Sequence, residues 1–122
     1  MESLRGRATG IGGIFFRSAD TQALGAWYER WFGITAGGAP WNTEAGMTVF
    51  APFKADTDYF PADKAFMLNL RVDDLASLIA AFRAEDIAVE TRAEWENTGY
   101  GDFARVCDPE GNPVEMWQPP AE

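Results

Sequence analysis

Apolar residues return along this chain in two rhythms. Leu24, Trp27, Tyr28 and Trp31 fall at i, i+3, i+4 and i+7, the spacing that lines one face of an α-helix. Asp20 precedes the stretch as a capping residue and Gly33 follows it as one tolerant of positive φ, so a helix is predicted between them. Leu75, Leu78, Ile79 and Phe82 repeat the stripe behind Asp74, which predicts a second helix. Between the helices the period shortens to two. Phe66, Leu68, Leu70 and Val72 alternate with Met67, Asn69 and Arg71, which predicts a strand with the first set under a helix and the second on the opposite face. Strands are predicted also over 11–18, 47–53, 87–91, 103–107 and 113–117. The last two are joined by Asp108-Pro-Glu-Gly-Asn112, where Pro and Gly preset the dihedrals of a turn.

Both helical stretches belong to a larger repeat. Ile14, Arg17 and Asp20 recur as Leu68, Arg71 and Asp74, each pair 54 positions apart, and Leu24 and Tyr28 recur as Leu78 and Phe82 at the same offset. After a one-residue slip, Gly33-Ile34 answers Asp86-Ile87. Self-similarity at a fixed period decides architecture before single residues do. Two copies predict two halves about a pseudo-two-fold, 11–53 and 66–117, with a linker at about 54–65 and an arm over 1–10. Strand parity puts Gly13, Phe15 and Arg17 of the first copy and Met67, Asn69 and Arg71 of the second on the face away from the helices. Glu115 and Trp117 of the last strand join them there, with Phe103, Arg105 and Cys107. Rings, guanidinium groups and one carboxylate together suit a concave, half-wet surface.

Composition narrows the classes. At 122 residues the chain is one domain by size. A net charge of −9 argues against binding a phosphate backbone, so no nucleic-acid partner is expected. No apolar run is long enough to span a bilayer, and Met1–Arg7 lacks the apolar core of a signal peptide. No membrane association is expected, and the default location is cytoplasmic. Cys107 is the single cysteine and there is no histidine, so a lone core thiol is expected in place of a disulfide or an activated nucleophile.

Several stretches carry a resemblance to a known family. They are Trp27 to Ile34 with its Phe-Gly-Ile end, Leu70-Arg-Val-Asp-Asp-Leu75, Tyr100-Gly101 and, above all, Asp108-Pro-Glu-Gly-Asn-Pro-Val-Glu-Met-Trp117. Over about residues 11–119 the chain resembles the glyoxalase/bleomycin resistance/dioxygenase, or vicinal oxygen chelate, superfamily. The resemblance implies an α+β fold of two βαβββ modules, whose mixed sheets curl into a cup with the helices outside, usually completed in short chains by a homodimer. In metal-using members a divalent ion sits in the cup, held from the start of each module's first strand and by a Glu on the last strand. Those positions fall here on Gly13, Met67 and Glu115. Glycine offers no donor and a thioether is a soft ligand ill suited to hard divalent ions. No metal or other cofactor is therefore expected, and neither is an active metal-dependent glyoxalase I or extradiol dioxygenase.

Arg17 and Arg71 occupy equivalent positions and are expected to approach each other across the pseudo-two-fold, with Arg105 near them. Guanidinium forks beside one carboxylate predict a site for a polar or anionic small molecule. The competing reading is that these arginines close salt bridges with Glu115, Asp73 or Asp20. Phe15, Trp41, Tyr100 and Trp117 supply flat rings to line a cup, whereas Trp27 and Trp31 are assigned to core or interface. The predicted ligand-binding set is thus Phe15, Arg17, Trp41, Asn69, Arg71, Tyr100, Arg105 and Trp117. Two functions follow. One is a metal-independent small-molecule binder of the bleomycin-resistance type, with a cup shared by two chains. The alternative is an enzyme of lyase, isomerase or dioxygenase type in which Glu115 acts as acid/base or metal ligand and Arg17 or Arg71 stabilises an oxyanion. A sheet face rich in Phe, Met and Trp is costly to leave open, which predicts a homodimer.

Overall fold

The computed structural model describes residues 6–121, so the first part of the expected arm over 1–10 lies outside the described residues. Two helices and three strands follow one another as α1 (Thr21–Phe32), β1 (Leu68–Arg71), α2 (Leu75–Ala84), β2 (Asp102–Cys107) and β3 (Pro113–Gln118), with a 3-10 turn at Ala93–Trp95. Both helices begin where their caps predict. The Asp20 carboxylate accepts from the Ala23 amide at 3.0 Å, and the Asp74 carboxylate accepts from the Ser77 amide at 3.1 Å. Each satisfies an amide that the first helical turn leaves without a partner. Both also end alike: Gly33 takes φ +67° and Asp86 takes φ +60°, each followed by an isoleucine. The sequence equivalence of Gly33-Ile34 with Asp86-Ile87 is therefore matched in backbone geometry.

β3 is the middle strand, parallel to β1 and antiparallel to β2. The fold is α+β with a small mixed sheet that does not close. One face carries Leu70, Ala104, Val106, Val114 and Met116, and these pack with Leu24 and Tyr28 of α1 and Leu75 and Phe82 of α2. Phe82 is wholly buried, stacked on Trp31 at 4.2 Å between ring centroids. Burying a side chain of that size contributes about 2–3 kcal/mol.

The Asp108–Asn112 turn fastens α1 to the β2–β3 hairpin. Tyr28 donates its hydroxyl to Asp108 at 2.7 Å, while the other Asp108 oxygen accepts from the Glu110 and Asn112 amides. Glu110 in turn accepts from the Ser18 hydroxyl at 2.6 Å and the Ala19 amide at 2.8 Å, just before α1 begins. These bonds hold the Glu110 carboxyl below its ordinary range, the Ser18 hydroxyl contributing most. The residues that carry most of the family resemblance thus build a joint.

Several expectations need correction. Residues 11–18 and 47–53 form no strand, and 87–91 contributes only the isolated bridge between Glu90 and Arg105. A strand exists only through a neighbour; 11–18 and 47–53 have none within the chain among the described residues, and 87–91 has one only at Glu90. The second sheet of a two-module arrangement is accordingly not formed there. Phe15 is 94% exposed and Phe50 85%, with Ile11, Ile14, Met47 and Val49 also on the surface. Cys107, predicted as a core thiol, is exposed, because it ends β2 on the face away from the helices. No helix among the described residues is long and apolar enough to cross a membrane.

Candidate functional site

The three strands bring chemically distinct residues into rows on the face away from the helices. Register aligns Asn69, Glu115 and Arg105 in one row, and Arg71, Trp117 and Phe103 in the next. Glu115 is only 6% exposed. One of its oxygens accepts from the Asn69 amide at 2.7 Å and the other from the Tyr59 hydroxyl at 2.5 Å. Burial disfavours the Tyr59 phenolate and the Glu115 carboxylate holds its proton, so the phenol is pushed up to about 12.

Arg105, 8% exposed, lies between two rings, its guanidinium carbon 4.8 Å from the Tyr59 centroid and 5.3 Å from that of Trp95. Such stacking gives a partly desolvated cation a π-face in place of water. Among the described residues its nearest acid is Glu90, at 3.9 Å from Nη1, and its Nε and Nη2 have no hydrogen-bond partner. Arg92 covers the outer side of Trp95 at 4.6 Å and pairs with Glu90 at 2.7 Å. In the second row the Trp117 and Phe103 rings are nearly parallel at 6.1 Å, and the Trp117 indole donates to the Tyr100 carbonyl at 2.7 Å. Arg71 reaches the Glu44 carbonyl at 2.9 Å.

Of the predicted site residues, Asn69, Arg71, Arg105, Glu115 and Trp117 share this face. Phe15 and Arg17 lie instead on an exposed irregular segment, and Trp41 is exposed on another. Tyr100 contributes its carbonyl, not its ring, which points to solvent. Among the described residues no arginine forms an ion pair with Glu115, Asp73 or Asp20. Glu115 takes two neutral donors instead. Sequence reasoning missed Tyr59, Trp95 and Arg92 as site residues, because all three sit in stretches without strand or helix periodicity. The available signal was four aromatics, Tyr59, Phe60, Trp95 and Tyr100, in two loops rich in polar residues, Asp56–Asp63 and Glu94–Gly101.

Two open depressions flank the rows. One of about 530 Å³ is lined by Tyr59, Phe60, Arg92 and Arg105 together with neighbouring loop residues. The other, about 580 Å³, is framed by Phe53, Phe60, Phe66 and Met67. Glu115 borders neither, being covered by Tyr59.

The donor set does not fit the divalent metal that the resemblance implies. Gly13 and Met67 offer no hard donor, and both oxygens of Glu115 are engaged by Tyr59 and Asn69. Among the described residues no three His, Cys, Asp or Glu side chains converge.

No family model matches the chain, and no curated protein matches it. Among solved structures it is similar to TnmS3, an antibiotic-binding protein from Streptomyces sp. CB03234, at 23% identity and a TM-score of 0.57. That likeness covers 93% of this chain and 98% of TnmS3, so it extends into the amino-terminal half, whose described residues form no strands.

Proposed function

We propose that this chain is a glyoxalase/bleomycin-resistance-like protein that binds a polar or anionic small molecule without a metal, on the sheet face away from the helices. The observation that carries this reading is the state of Arg105: a buried guanidinium whose Nε and Nη2 have no hydrogen-bond partner among the described residues, beside the buried carboxylate of Glu115. Each buried donor left unmade costs about 1–3 kcal/mol, and an apolar residue at the same place would avoid that cost. A ligand oxygen would remove it. The rings of Trp95, Phe103 and Trp117 add flat apolar surface around the polar row, as small-molecule sites commonly do. Likeness in fold to an antibiotic-binding protein supports the same reading.

A second copy of the chain completes the cup in this proposal. Ile11, Ile14, Phe15, Met47, Val49 and Phe50 are all exposed, on segments that still lack strand partners. Unpaired backbone and contiguous apolar side chains are what a neighbouring subunit covers. The two halves, 11–53 and 66–117, would then act as modules around a shared site.

Thermal unfolding with 1-hydroxy-2-naphthoate, 2-naphthoate and 2-naphthol tests the binding reading. At least one is expected to raise Tm in a saturable way, and Arg105→Met should remove the shift. No shift with any of the three contradicts the proposal.

A further inference from the structure

Tyr59 sits on the Asn69–Glu115–Arg105 row in the manner of a ligand. Its hydroxyl donates to Glu115 at 2.5 Å, its ring faces the Arg105 guanidinium at 4.8 Å, and it meets the Trp95 ring edge-on at 6.1 Å. Yet Tyr59 belongs to a loop whose backbone hydrogen bonds are local, from the Thr57 amide to the Lys54 carbonyl and from the Lys64 amide to the Pro61 carbonyl. Among the described residues, no backbone hydrogen bond joins 54–65 to the sheet. Side chains alone hold the loop down, so moving Tyr59 breaks no ladder and uncovers the row. The depression of about 530 Å³ lies directly beside it, bordered by Tyr59, Arg92 and Arg105.

From this geometry we propose that the row is a receptor for a neutral hydroxyarene, a flat aromatic molecule with a free phenolic hydroxyl, and that Tyr59 occupies its place in the unliganded chain. The inference rests on the small-molecule reading above and narrows its ligand. Asn69 fixes one Glu115 oxygen and leaves the other as an acceptor, which a phenolic O–H satisfies with a short, charge-assisted bond. The Arg105 guanidinium carbon lies over the ring of the occupant, 4.8 Å from its centroid, where a cation attracts an aromatic face. A carboxylate in the same position would set its charge against that of Glu115. Because Tyr59 keeps its proton up to about 12, the occupant that the row now holds is a neutral donor and not a phenolate.

Tyr59 is then an internal competitor, and weakening it must strengthen the ligand. We would titrate 2-naphthol into the wild-type chain, Tyr59→Phe, Tyr59→Ala and Glu115→Gln by calorimetry, with 2-methoxynaphthalene as the analogue lacking a donor. The expected result is saturable binding to wild type, about 10-fold tighter in Tyr59→Ala, intermediate in Tyr59→Phe, and weakened about 10-fold or more in Glu115→Gln, in line with one hydrogen bond to a charged group. The methoxy analogue should bind at least about 10-fold more weakly than 2-naphthol. Equal affinity for the two naphthalenes overturns the proposal. So does the absence of any affinity gain in Tyr59→Phe, the variant that decides if Tyr59→Ala does not fold. Binding of 2-naphthoate without 2-naphthol overturns the hydroxyarene reading and leaves the broader small-molecule reading standing; silence with both and with 1-hydroxy-2-naphthoate removes the two together.

Discussion

Tyr28 and Tyr59 each donate a phenol to a carboxylate, and the difference between them separates joint from site. Tyr28 meets Asp108, an acid already fixed by two backbone amides and the Asn112 side chain, inside the core. Its phenol is driven far above the ordinary range by burial and by Asp108. Tyr59 meets Glu115 at the edge of a loop, and its phenol is pushed only to about 12. The folded-state value exceeds the ordinary tyrosine value of about 10. The stabilisation from Tyr59 is therefore complete below about pH 10 and is lost as pH rises from there to about 12. The absorbance titration at 295 nm of wild type minus Tyr59→Phe should show one tyrosine with a midpoint near 12, and a midpoint near 10 would mean that Glu115 does not hold this phenol. Gly101 gives a second test at this scale. It takes φ +115°, and a Cβ there would run into the Gln118 carbonyl, which is backbone and cannot yield cheaply. Gly101→Ala should destabilise the chain by about 2 kcal/mol or more in urea unfolding.

At the scale of elements, the helices carry the clearest evidence. Phe82 joins α2 to Trp27, Trp31 and Phe32 of α1, with no exposure of its own. Phe82→Ala should cost about 3–5 kcal/mol, read as a lower midpoint in denaturant at unchanged slope. Both helices were legible in the sequence because the evidence for a helix is local: the stripe, the Asp cap and the positive-φ stop all lie within one segment. The strands near residue 68, residue 103 and residue 114 were legible for a related reason: alternation set their parity, and the Asp108–Asn112 turn joined the last two as neighbours. The predicted strands at 11–18 and 47–53 were apolar runs rather than clean alternations, Ile14-Phe15-Phe16 among them, and they have no strand partner among the described residues. Pairing is a relation between segments, and a single segment does not encode its neighbour. The site divided along the same line. Asn69, Arg105, Glu115 and Trp117 were found by strand parity. Tyr59 and Trp95 come from loops, whose path over the sheet follows from packing and not from period.

At the scale of the molecule, a chain of net charge −9 leaves Phe15, Phe50, Val49 and Met47 largely exposed. Net charge does not cover those side chains, and a second copy would. Sedimentation equilibrium at micromolar concentration should return twice the 13.5 kDa chain mass. Phe50→Arg should shift that mass toward the single chain, and a monomer in the unaltered protein would contradict a shared cup. Whether a small molecule binds on the Asn69–Glu115–Arg105 face is read from a two-dimensional NMR titration of the tryptophan indole N–H groups with 1-hydroxy-2-naphthoate. Saturable shifts are expected at Trp95, beside Arg105, and at Trp117, whose indole donates to the Tyr100 carbonyl, while Trp27 and Trp31 of α1 stay in place. Shifts confined to Trp27 and Trp31, or no saturable shift at any indole, would contradict binding on this face.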